Sequence, residues 1–232
     1  MEGLTIQDEL NIASRIHDII LADEYYPVLD REIYTSTYDY LDEKINTLTN
    51  CELVEHRSNY DWMIHILDNE TGTNAFAIPG GYIYFDKGLL KKIDSEASFM
   101  NLLANEIAYA DKGFVRAKLE ARYGLSILID LALGSMIGNE SELLGILYGT
   151  PYDVEVVEQA DAYMLQLACD KNYDAAYLKD FFIDQSCSIT WLDTHPTDSL
   201  DKRVNNISQF DCVNDSTSIS GNDPYIDFKN TF

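Results

Sequence analysis

Glu106 is the residue whose surroundings in this chain most suggest a catalytic base. It lies in Ala104-Asn105-Glu106-Ile107-Ala108-Tyr109, within a run where Ala97, Met100, Leu103 and Ile107 recur at three- and four-residue spacing. That spacing predicts a helix with one apolar face. A metal-dependent hydrolase would carry His-Glu-x-x-His on such a helix. The two histidines would share one face and grip a zinc ion, with the Glu as general base. Here the Glu is present, and Asn105 and Tyr109 stand at the two histidine positions. An Asn side chain is a weak, neutral oxygen donor, and a Tyr keeps its proton near neutral pH. Without an ion to lower the pKa of water from about 15.7 towards 7, Glu106 has no activated nucleophile to deprotonate.

The elements that must hold this helix run from Asn74 to Asp111. Pro79-Gly80-Gly81 makes a small-residue turn, Tyr82 to Phe85 a short apolar strand, and Gly88-Leu89-Leu90 the start of a helical segment. Upstream, residues 4–22 read as a helix with Leu10, Ala13, Ile16, His17, Ile20 and Leu21 at helical spacing and Thr5 as its cap. Tyr25-Tyr26-Pro27 breaks it, and a second helix is expected from Arg31 to Thr49. Asp61 to Leu67 alternates as a strand, with Trp62, Ile64 and Ile66 on one side and Met63, His65 and Leu67 on the other. These strands predict a small, mostly antiparallel sheet. His17, His56 and His65 lack partners at metal spacing and read as packed or surface residues.

Downstream, Lys112 to Gly138 reads as mostly helical and Gly138 to Gly149 as a glycine-containing acidic segment. Thr150-Pro151 predicts a helix start, and the helix runs to about Lys171, with Asn172 as a left-handed stop. Asp174 caps the next helix, through Phe181 and Phe182. Trp191 to Pro196 reads as a loop, and a last helix as spanning Asp198 to Phe210. Residues 1–210 thus form one domain, and 211–232 a Ser/Asn/Asp-rich tail in which Tyr225, Ile226 and Phe228 are able to dock.

Composition narrows the function classes. The 232 residues include 40 acidic against 16 basic side chains, a formal net charge of -24, with 46% hydrophobic residues. Binding to nucleic-acid phosphates needs a basic stripe and is excluded on charge, as is an anionic membrane surface. The acidity suits a solvated surface or a basic partner. Cys51, Cys169, Cys187 and Cys212 form no Cys-x-x-Cys pair, and Cys169, in an apolar helical pattern, reads as a small packed hydrophobe. The first ten residues lack the basic head and apolar run of a signal peptide, and the apolar stretch from Leu125 to Gly138 is too short to span a bilayer. A complete chain would be cytoplasmic; removal of an upstream signal would make it periplasmic or otherwise extracytoplasmic.

Asn74-Ala75-Phe76-Ala77-Ile78-Pro79-Gly80-Gly81, followed by Tyr82-Ile83-Tyr84-Phe85 and Gly88-Leu89-Leu90, resembles the signature of metallopeptidase family forty-eight. This is the group of the HtpX and BepA proteases and the CAAX prenyl protease. Its Ala-His-Glu-Ile-Gly-His is similar to residues 104–109, its Glu-x-Glu-Ala-Asp to Val157-Glu158-Gln159-Ala160-Asp161, and its Gly-Tyr-Asp to Asn172-Tyr173-Asp174. His195-Pro196 and Arg203 match its closing motif. The likeness covers roughly residues 4–210, with the elements in the family's order. It implies an α+β, mainly helical, gluzincin-like domain with the small sheet beside the active-site helix. It also makes Asn105, Tyr109 and Val157 substitutes for all three zinc ligands, so no cofactor is expected. Glu106 becomes a vestigial base, Glu158, Asp161 and Arg203 surround the former ligand sphere, and His195 is the cleft histidine.

Three functions compete. The first is a catalytically inactive peptidase-like protein that retains a cleft for a peptide or protein partner. Its groove would be formed by Asn74, Ala75, Phe76 and Ala77, extending to Ile78 and Trp62 to Leu67, through strand addition at the sheet edge. The second is an endopeptidase with an atypical metal site built from Glu106, His195 and either Glu158 or Asp161. The third is an acidic interaction or inhibitor module whose binding weakens with salt.

Overall fold

The computed structural model describes residues 3–25, 27–135, 138, 140–185, 189–209 and 224–232. Helix α1 (Ile6–Ala22) opens with a capping box in which Thr5 Oγ1 accepts from the Asp8 amide at 3.2 Å and the Asp8 carboxylate accepts from the Thr5 amide at 2.8 Å. Its buried stripe is Ile12, Ala13, Ile16 and Ile20. Helix α2 (Thr35–Thr49) starts four residues later than the sequence pattern suggests. The Asp30 carboxylate accepts the Glu32 amide at 2.7 Å, a local turn that competes with helix, and Arg31 reaches the Ile64 carbonyl and Asp42.

Strands β1 (Met63–Leu67), β2 (Ala75–Ala77) and β3 (Tyr82–Asp86) form one sheet in the order β1-β3-β2. The expectation of a mostly antiparallel sheet is corrected here. β2 and β3 are antiparallel, joined through the Pro-Gly-Gly turn, but β1 runs parallel to β3, with Met63 opposite Tyr82 and Leu67 opposite Asp86. Alternation of side chains gives the strands but not the fact that the third inserts between the first two. Gly80 holds φ of +86° and Gly81 of +97°, and a Cβ on Gly80 would come within 2.7 Å of the Ala13 Cβ, so the turn packs directly on α1. Both sheet faces are buried. Ile64, Ile66, Ala75, Ala77, Ile83 and Phe85 join one core cluster; Leu67, Phe76, Ile78 and Tyr84 join the other with α1.

Helix α3 (Lys87–Lys92) leads to α4 (Glu96–Asp111), whose N-terminus is capped by Ser95 accepting from the Ser98 amide and whose residues are all buried. α5 (Phe114–Tyr123) and α6 (Leu125–Ala132) follow, and the acidic stretch after Gly138 contains α7 (Glu140–Gly149). α8 (Val154–Asp170) packs along α4 and is followed by α9 (Ala175–Gln185). The start of α8 is capped by Asp153 rather than Thr150, because the Thr150 carbonyl accepts from Lys118 and the Tyr152 amide donates to the Thr194 carbonyl. Asn172 takes φ of +62°, the left-handed stop, and the Asp174 carboxylate accepts the Ala176 amide at 2.7 Å.

Of the expected loop from Trp191 to Pro196, residues 191–194 lie in a short helix α10 (Thr190–Thr194), tied down where Thr73 Oγ1 accepts the Thr190 amide at 2.8 Å. α11 (Leu200–Gln209) and α12 (Pro224–Lys229) complete the described elements; residues 211–223, most of the expected tail, lie outside the described residues, as do Phe210, Cys187 and Cys212. Cys169 is disulfide-bonded rather than a free packed thiol; Cys51 is free and buried. Among the described residues no helix is long and apolar enough to cross a membrane.

α12 belongs to the main core. Tyr225 is fully buried beside Phe99 and Phe228, and its hydroxyl donates to the Leu90 carbonyl at 2.7 Å; Ile226 stays exposed. Removing a buried aromatic of this size costs about 3–5 kcal/mol. Tyr225→Ala is therefore expected to lower the unfolding free energy by roughly that amount in urea titration. A change under about 1 kcal/mol would mean that α12 is only an appendage.

Candidate functional site

The site is built where α4 meets β2 on one side and α8 and α10 on the other. Glu106 is 1% exposed. Its Oε1 accepts from Trp191 Nε1 at 2.7 Å and lies 3.5 Å from His195 Nε2, and the backbone amide of Ala77 on β2 supplies a further bond. Burial pushes the carboxyl from an ordinary 4.5 up to about 7; the bond from Trp191, the charge of Lys118, the Ala77 amide and Arg203 hold it from rising further. Lys118 is pushed down to about 8 by burial, with Glu106 pulling it back up; its ammonium donates to the Thr150 carbonyl at 2.6 Å and sits 4.0 Å above the Tyr152 ring.

Asn105 turns towards α8. Its Nδ2 donates to Asp161 Oδ1 at 2.9 Å, and Arg203 from α11 donates to the same oxygen at 2.6 Å. Arg203 also donates to the His195 carbonyl at 3.1 Å, and its guanidinium lies 4.8 Å from the rings of both Phe182 and Trp191. His195 stacks on Trp191 with ring centroids 4.3 Å apart, and its Nδ1 lies 2.8 Å from the Trp191 carbonyl. A carbonyl only accepts, so Nδ1 carries the proton and Nε2 a lone pair. Burial holds His195 well below its usual pKa, so it is neutral.

Tyr109 follows Asn105 by one helical turn. It is fully buried against Tyr152, Phe114 and His195, and burial raises its hydroxyl pKa well above 10. Val157 is buried on α8, one turn before Asp161. Glu158 faces outward and pairs with Lys202 at 2.5 Å. The structure thus brings together Asn105, Glu106, Tyr109, Asp161, His195 and Arg203, and leaves Glu158 outside. Among the described residues no group of three His, Cys, Asp or Glu is placed to hold a metal ion. An amide oxygen, a protonated phenol and a valine do not fit zinc, which takes thiolate, imidazole and carboxylate donors.

Glu106 finds its hydrogen-bond partners in the Trp191 indole and the Ala77 amide, not in Asn105 or Arg203. Trp191, Lys118 and Tyr152 are the site residues that sequence reasoning missed. Trp191 alone carried a signal, since it precedes His195 by four residues and would share a helical face with it. The expected groove residues are also packed away: Asn74, Ala75 and Ala77 are each 1% exposed and Phe76 6%. The outer edge of β2 gives its Ala77 amide to Glu106 on α4, and just before β2 the Trp191 amide donates to the Thr73 carbonyl at 3.0 Å and Thr194 Oγ1 to Asn74 Oδ1 at 3.1 Å.

A buried helix bearing a central glutamate, set against a short edge strand and a Pro-Gly-Gly turn, defines a metallopeptidase-like domain. The profile described as Peptidase family M48 matches residues 36–211, and the chain belongs to that family. It is similar to the protein named Metalloendopeptidase OMA1, mitochondrial, of Bos taurus, at 26% identity over 201 residues covering 74% of this chain and 38% of that protein. It is also similar to Mitochondrial metalloendopeptidase OMA1 of Schizosaccharomyces pombe, at 25% identity over 169 residues covering 68% of this chain and 49% of that protein. The match therefore spans less than half the length of either relative.

The raised pKa of Glu106 links stability to pH. The folded chain holds this proton more tightly than the unfolded one, so the contribution is fully present below about 4.5 and is lost as pH rises to about 7. His195 has the opposite slope, since its folded pKa is lowered, but it does so in any variant that keeps it. The isosteric Glu106→Gln variant cannot titrate. Its stability relative to the parent should rise across this window, by on the order of 3 kcal/mol at 1.36 kcal/mol per unit. Denaturant titrations of both proteins at a series of pH values measure this; a difference that stays flat would show that Glu106 titrates normally.

Proposed function

We propose that this chain is a non-hydrolytic member of its peptidase family, a gluzincin-type frame that serves by engaging a protein partner. The observation that carries the reading is the chemistry at residues 105, 109 and 157. Val157 and Asp161 lie one turn apart on α8, which packs along α4, and the resemblance to the family makes position 157 that of the third ligand, where a valine offers no donor. Asp161, which would steady a ligand on α4, is bonded to Asn105 instead. Hydrolysis by this fold needs a water activated by an ion. Here the one central carboxylate is committed to the Trp191 indole and the Ala77 amide. The relatives' names describe metalloendopeptidases; for this chain we read the frame as kept and the reaction as lost.

Partner capture by strand addition at Asn74–Ala77 requires α10 to move, because Trp191 and Thr194 already take up hydrogen-bonding groups of Thr73 and Asn74. The net charge of -24 favours a basic partner, whose affinity would fall with added salt.

Elemental analysis of the purified chain is expected to find far less than one zinc per molecule, with no chelator-sensitive cleavage of an unfolded protein substrate. The triple variant Asn105→His, Tyr109→His, Val157→Glu should acquire metal in equilibrium dialysis. One equivalent of zinc in the parent chain, with proteolysis abolished by a chelator, would overturn the reading.

A further inference from the structure

Four buried polar side-chain atoms at the site have no hydrogen-bond partner: Asn105 Oδ1, Tyr109 Oη, His195 Nε2 and Arg203 Nε; the first three belong to side chains that meet between α4 and α10. These three side chains are 0%, 0% and 1% exposed. Leaving even one such atom unpaired is costly, and three in one place call for an occupant. We propose that these three atoms together bind one small neutral ligand, a single structural water, between α4 and α10. The proposal rests on the reading that no metal is held here.

The polarity of each atom follows from its neighbours. Asn105 Nδ2 must face Asp161, because a carboxylate cannot donate to the amide oxygen, and so Oδ1 is turned away as an acceptor. His195 Nδ1 must carry the ring proton to bond the Trp191 carbonyl, which makes Nε2 an acceptor as well. The nearest charged oxygen to Nε2, Glu106 Oε1, is 3.5 Å away and already takes the Trp191 indole proton. Tyr109 keeps its proton and donates. The site therefore offers two acceptors and one donor. A water answers this set with two donated bonds and one accepted bond, the usual complement of a buried water.

The three side chains also converge. Asn105 and Tyr109 are four residues apart on α4 and share a face. The Tyr109 ring meets His195 edge-on with centroids 4.9 Å apart. Arg203 ties the far ends together, bonding both Asp161, which holds Asn105, and the His195 carbonyl. Lys118 and Arg203 already supply two basic groups beside the carboxyls of Glu106 and Asp161. No cation is needed for neutrality, and the two facing acceptors are uncharged. That favours water over a monovalent ion.

A high-resolution crystal structure of the full chain, with anomalous data collected at the zinc edge, tests this. The expected result is one peak without anomalous signal, within hydrogen-bond distance of Asn105 Oδ1, Tyr109 Oη and His195 Nε2. An anomalous peak there would overturn both this inference and the non-metal reading. No peak, with Tyr109 Oη bonded directly to Asn105 or His195, would overturn the inference alone. In solution, oxygen-17 relaxation dispersion should count one fewer long-lived water in Tyr109→Phe than in the parent; an equal count in a folded variant would also overturn it.

Discussion

The constraint on which the site depends is the burial of a carboxylate. Glu106 sits in the middle of a helix with no exposed residue, and an unpaired charge there would be too costly to keep. Its hydrogen bond from Trp191 and the amide of Ala77 bring α10 and β2 to the same point. Trp191 in turn carries His195 on its ring face and offers its carbonyl to that histidine, while its amide is fastened to Thr73. Arg203 lies against the same indole and steadies Asp161. Remove the carboxylate's partners and four elements lose their common anchor.

Hydrogen bonding and ring packing fill the space beside Glu106. Asp161 grips the amide side chain at position 105. Tyr109 packs its ring on Tyr152 and Phe114. Val157 closes the α8 side with an apolar surface. The frame of α4, α8 and the sheet is stabilised by burial over its whole length.

Much of this frame was legible in the residues. The Thr5 cap, the Asn172 stop and the Asp174 cap are local chemistry, decided by neighbours within a few positions, and each stands where its type implies. The ordered motifs from Asn74 to Arg203 pointed to the family and gathered most of the site. What was not legible depends on distant partners. α10 forms because Thr73 caps it from more than a hundred residues away, and Trp191 became a site residue through that contact. The start of α8 shifted because the backbone at 150–152 bonds Lys118 and Thr194. The pairing of β1 with β3 reflects an insertion that no alternation pattern encodes.

That insertion has a consequence for the order in which the molecule assembles. The central strand is the last of the three to leave the ribosome, so β2 emerges with no strand to pair with and β1 with only its bridge from Leu67 to Val28. Before Tyr82–Asp86 arrives, Leu29, Arg31 and Tyr38 are already available to the backbone of Ile64 and Ile66. The three-stranded ladder itself closes only around its youngest member.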